Sequence, residues 1–74
     1  NSQFTIDQSN ALAARIRKEA GDNVNDQIHL TCRLALGREA FPDEISELTS
    51  VANTHGLETV CRVVFNSNEF LFLP

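Results

Sequence analysis

Apolar residues recur along the chain at three- and four-residue steps, broken by glycine, asparagine and proline. This is the pattern of short amphipathic helices with a stop signal between them. The first predicted helix runs from about Phe4 to Ala20, with Ile6, Ser9, Leu12, Ala13, Ile16 and Ala20 on its inward stripe. Thr5 with Gln8 fits a capping box for that start, while Asn1 or Ser2 would cap an earlier one. Gly21 closes the helix, and Asn23 or Asn25 caps the next. The second helix runs to about Leu36, with Ile28, Thr31, Cys32, Ala35 and Leu36 on one face and Leu30 and Leu34 widening it. So wide a face predicts a central helix that touches more than one neighbour.

Gly37 stands where a C-terminal cap belongs, and Pro42 occupies the first turn of a third helix, where its missing amide hydrogen does no harm. Asp43 and Glu44 suit the positive end of that helix dipole. Ile45, Leu48 and Val51 or Ala52 face inward, and Gly56 ends the element. The last segment reads two ways. "TVCRVVF" and "FLFL" around "NSNE" have the composition of a β-hairpin. The helical count is better, because Leu57, Val60, Cys61, Val64 and Phe65 share a face and leave Glu58, Thr59 and Arg62 outside. The prediction is a helix to about Asn66, stopped by the local hydrogen bonding of Asn66, Ser67 and Asn68, then an irregular tail. Glu69 and Phe70 act there as a latch, with Phe70 and Phe72 folding back onto the bundle. The fold class is therefore all-α, a small bundle of about four short helices in one domain.

Length and charge narrow the functional classes. Hydrophobic residues make up 42% of 74, enough for one core. A core of this size rarely supplies more than about 3–5 kcal/mol, so marginal stability or support from a longer protein is expected. The chain begins without methionine and shows no signal peptide, and reads as a piece excised from a larger protein. It has no apolar run long enough to span a bilayer. The net charge is −4, with only six scattered Lys and Arg, which argues against nucleic acid and against an anionic membrane surface.

Candidate chemistry is sparse. Cys32 and Cys61 lie on inward faces, as buried inert thiols or as a disulfide between the second and fourth helices. His29 falls on the outer side of its helix, and His55 in a last turn favoured by the dipole. Neither has metal-ligand spacing to other residues. Asp43, Glu44 and Glu47 form an ordinary acidic first turn, and the chain has no phosphate loop or nucleophile elbow. No catalytic, cofactor or metal residue is assigned. Arg38, directly after the glycine, is the one pointed feature. Its planar fork suits a multi-partner corner, reaching free carbonyls of the second helix and pairing with Glu44 or with Glu69. The alternative is recognition of a ligand or partner.

Read together, "RLALGREAFPDE" and "CRVVFNSNEFLFLP" resemble the last part of a planctomycete-specific domain of unknown function, found at the C-terminal end of large multidomain cytochrome-c-associated proteins. The matching positions are Leu36, Gly37, Arg38, Pro42 and Glu44, then Cys61, Arg62, Val63, Asn66, Ser67, Asn68, Glu69 and Phe70. "NSQF" and "ALAARI" are similar to the family's preceding helix. The resemblance implies a larger parent, exported or in the cell envelope, with haem in that parent only and none here. It also implies that the partners are other domains of the parent or another protein. Ala40 stands where the family has proline, and Phe41 where a threonine would cap the third helix. Losing that cap costs about 1 kcal/mol, offset if the ring is buried. A looser resemblance, through the same corner and the Ser-x-Glu-Phe element, is to the helical module of phycobilisome-linker-like proteins, which implies scaffolding and an exposed apolar patch near Leu71 to Leu73. A third reading makes the chain one wall of an enzyme site completed upstream, with Arg38, Asn68 or Glu69 in a cleft.

Overall fold

A computed structural model describes the backbone of residues 2–71 and the side chains of residues 3–67. It is all-α: α1 (Ser2–Ala20), α2 (Val24–Leu36), α3 (Pro42–His55) and α4 (Leu57–Leu71), with no strand among the described residues. The hairpin reading of the last segment is thereby excluded. The radius of gyration, 11.4 Å, matches the roughly 11 Å of a compact chain of this length.

Local chemistry sets each junction. α1 has already begun at Ser2, so Thr5 lies inside the helix and is not its cap; the earlier start is the one adopted. The Gly21 amide donates to the Arg17 carbonyl, and the Asn23 side chain accepts from the Asp26 amide at 2.9 Å to open α2. The Gln27 amide group donates to the Gly21 carbonyl at 2.6 Å, tying this turn down from within α2. Gly56 alone joins α3 to α4. Its amide donates to the Ala52 carbonyl, and its carbonyl accepts from the Val60 amide. Its backbone, at φ 94° and ψ 163°, lies in a region that is essentially glycine-only.

α4 overruns its expected end. Local hydrogen bonding by Asn66, Ser67 and Asn68 does not stop it, and the helix continues to Leu71. In a helix interior Asn and Ser cost only a few tenths of a kcal/mol relative to average residues. The inner face of α4, packed on all three other helices, outweighs that cost. The phenylalanine latch and the apolar patch near the C-terminus fall on side chains outside the described residues.

α2 and α4 are the central pair. Each packs on both α1 and α3 and on the other, whereas α1 and α3 make no mutual contact among the described residues. The core is Ala13, Ile16, Ile28, Cys32, Leu48, Leu57, Val60, Cys61 and Val64. All nine lie on the predicted stripes. Leu34 does not belong to the core. It is 38% exposed, so the buried face of α2 is narrower than its apolar content suggests. No phenylalanine is buried among the described residues, which leaves a core of small aliphatic and thiol side chains.

Candidate functional site

The corner between α2 and α3 holds the arginine picked out by the sequence. Gly37 takes the left-handed conformation, φ 70° and ψ 22°, and its amide donates to the Arg33 carbonyl at 3.1 Å. The chain then turns through residues 38–41, and Pro42 starts α3. This brings Arg38 against Glu44, six positions on. Arg38 donates through Nη1 to Glu44 Oε1 and through Nη2 to Glu44 Oε2, both at 2.8 Å. This is the fork-to-carboxylate geometry that arginine offers and lysine does not. Nη1 also donates to the carbonyl of Glu39 at 3.0 Å. Among the described residues the hydrogen-bond partners of Arg38 are Glu39 and Glu44, and the expected α2 carbonyl is not one of them. The alternative partner, Glu69, lies outside the described side chains.

Glu44 holds the other half of the corner. Its Oε1 accepts from the Phe41 amide at 2.8 Å, the Glu-to-backbone arm of a capping box. Phe41 has no side-chain acceptor, so the reciprocal arm is missing. Its ring is not buried in compensation. It is 60% exposed and lies under the Arg38 guanidinium, 4.5 Å from Cζ to the ring centre. Ala40 is half-buried against the core. The Arg38 fork, and then the Phe41 amide, hold the Glu44 carboxyl down at about 2. Arg38 thus sits between a carboxylate, a carbonyl and an aromatic face, all within one turn of chain.

No family model, no curated protein and no solved structure matches the chain.

The two cysteines are brought into one core but not bonded. Both thiols are free and fully buried. Burial pushes the Cys61 thiol up to about 11, and raises Cys32 also. A thiol without its proton is the nucleophile, so this environment suppresses reactivity. His29 is half-buried on α2 with Nδ1 3.8 Å from Glu39, which also lies 3.5 Å from Arg33. His55 is exposed in the last turn of α3. Of the tail residues in the motif, Asn66 is exposed on α4. Asn68, Glu69 and Phe70 are helical in backbone, with side chains outside the described residues.

Three features were not expected from the sequence: the Arg17–Glu58 pair, the burial of Gln27, and the unpartnered hydroxyl of Ser9, a residue of the predicted inward stripe. Arg17 grips Glu58 with both nitrogens, at 2.5 and 3.1 Å, joining the C-terminal end of α1 to the N-terminal end of α4. That grip, with the Glu58 amide, holds the Glu58 carboxyl at about 2. Gln27 is buried behind its carbonyl contact. Ser9 is buried on α1 with no partner for its hydroxyl among the described residues. Among the described residues the surface grooves include three of note. One between the ends of α1 and α4 is lined by Phe4, Thr5, Gln8 and Phe65. A polar one along α2 is lined by Glu19, which pairs with Arg15, by His29 and Arg33, which both approach Glu39, and by Asp26. The third, about 130 Å³, lies between α3 and α4 beside the corner, over Leu36, Leu48, Val63 and Val64. Among the described residues no helix is long and apolar enough to cross a membrane.

Proposed function

We propose that the chain is a helical interaction module at the C-terminal end of a larger, cytochrome-c-associated protein, acting through packing against a protein partner and not through chemistry of its own. The observation that carries this reading is the state of the corner. The most chemically pointed motif of the sequence is spent on holding α2 to α3: three arginine donor contacts end on groups of the corner itself, and the ring of Phe41 takes one face. Arg38 lines none of the grooves described above, which weighs against the enzyme-wall reading. The thiols are withdrawn in the same way. What the molecule does present is apolar surface, in Phe41, Val63 and Leu34.

Hydrogen exchange on the chain alone and within its intact parent tests this. A contiguous set of amides on the bundle surface should gain protection in the parent, with or without further partners added. Identical exchange in every state would remove the interaction role.

A further inference from the structure

The groove beside the corner has a floor, an edge and a sign. Its floor is aliphatic: Leu36 from the end of α2, Leu48 from α3, Val63 and Val64 from α4. At about 130 Å³ it has room for a single leucine-sized side chain. It lies along two packed helices, the kind of channel into which a third helix sets a ridge of side chains. Val63, 39% exposed, lines it, and so does Glu44, whose carboxylate accepts from the Phe41 amide at the corner. One of the large apolar side chains that the molecule leaves in solvent, Val63, therefore lines this slot.

The edge is acidic. α3 carries Asp43, Glu44 and Glu47 and no Lys or Arg. Arg38 neutralises Glu44. Glu47 lines the groove, is exposed, and has no ion-pair partner among the described residues. The nearby cation of α4, Arg62, turns to Thr59 instead. The whole chain adds a net charge of −4, which disfavours a second copy of itself on this face.

We propose, resting on the interaction role above, that this groove seats one aliphatic side chain of a basic amphipathic helix from outside the chain. The anchor packs on Leu48 and Val63, and a lysine or arginine one turn away pairs with Glu47. This is the helix-in-groove mode of recognition, with charge setting the choice of partner.

The test uses two synthetic helical peptides of about five turns. Both carry one leucine stripe; one is flanked by lysines, the other by glutamates. Each is titrated into the isotope-labelled chain at low salt, with amide shifts as the readout. The lysine peptide should move Leu36, Glu47, Leu48, Val63 and Val64 saturably. The glutamate peptide should bind roughly tenfold more weakly, a gap that closes as salt is raised. In the Glu47→Lys variant, at an exposed site and with its helical circular dichroism unchanged, the preference should reverse. Equal affinity for both peptides, a saturable site elsewhere on the bundle, or no saturation by about 1 mM would overturn the proposal. So would concentration-dependent dimerisation through Val63, or contacts to Leu48 and Val63 from residues 72–74 in the free chain. Hydrogen-exchange protection elsewhere on the surface would then preserve the interaction role while removing this face from it.

Discussion

Replacing Gly56 with alanine should cost more than the same change at Gly37. At φ 94° and ψ 163° the backbone occupies a region that an L-residue holds only at about 1–3 kcal/mol. The added Cβ would meet nothing closer than Glu58 Oε1 at 3.5 Å, an ordinary contact, so the cost is conformational and not steric. The junction has no slack to relax it, because this one residue both ends α3 and starts α4. A loss of about 2 kcal/mol takes roughly half of the 3–5 kcal/mol expected for a core this small. It should lower the thermal midpoint by about 8–16 °C. Urea unfolding followed by helical circular dichroism reads it directly. Gly37→Ala is the internal control: at φ 70° and ψ 22° it enters the left-handed region at about 1 kcal/mol. D-Alanine at position 56, introduced by chemical synthesis, is the decisive arm. Its preferences are mirrored, so the observed angles are its own extended region. It should be tolerated, and even stabilising by about 0.4–1 kcal/mol through the unfolded chain. Gly56→Ala within about 0.5 kcal/mol of the parent chain, or D-alanine no better than L-alanine, would refute the reasoning.

Arg38→Lys keeps the charge but loses the two-pronged grip on Glu44; stability should fall, and binding of any partner should fall no further than the unfolding accounts for. Loss of binding at unchanged stability would make Arg38 a recognition residue instead. Acid should weaken the bundle in a defined window. Glu44 and Glu58 bind protons more weakly folded than unfolded, so the unfolded chain takes up more protons, and their contribution is present above about 4.5 and lost as pH falls toward about 2. Both pairs are partly exposed, which limits each to about 1 kcal/mol or less. Glu58→Gln should flatten part of that acid limb, measured as urea midpoint against pH. Both thiols should react with a thiol reagent only as fast as the bundle opens, and at once in denaturant; rapid reaction of one thiol in the folded state would contradict its burial.

The helices and their junctions were legible because each is set locally. Period fixes the stripe, and Asn23, Gly37, Pro42 and Gly56 mark the breaks by their own stereochemistry. The Arg38–Glu44 corner was legible for the same reason: a glycine stop at Gly37 and a proline start at Pro42, five positions apart, leave the intervening chain little freedom. Where reading failed, the deciding term lay elsewhere in the fold. Asn66 and Ser67 have weak preferences of their own, and packing of α4 on its neighbours overrides them. Leu34 and Phe41 look like core by composition, but which of several adjacent apolar residues is covered depends on where the next helix lies. Arg17 and Glu58 are 41 positions apart, and nothing in either neighbourhood announces the other. The apolar groove beside the corner draws on three helices, so no single stretch of sequence carries its outline.

Arg17 meets Glu58 at one end of the α1–α4 pair, and Phe4 and Phe65 line one groove at the other, so these two helices run in opposite directions. A body 34 Å long is thus entered and left at the same pole, and the Arg38 corner sits at that pole too, since α2 ends and α3 begins there. Anything tethered to either side of the chain is delivered next to Phe41, Val63 and Glu47, while the pole bearing Gly21 and Gly56 points away. The tether itself would raise the local concentration of a neighbour at the corner, so a contact too weak to persist between free molecules would be occupied within one assembly.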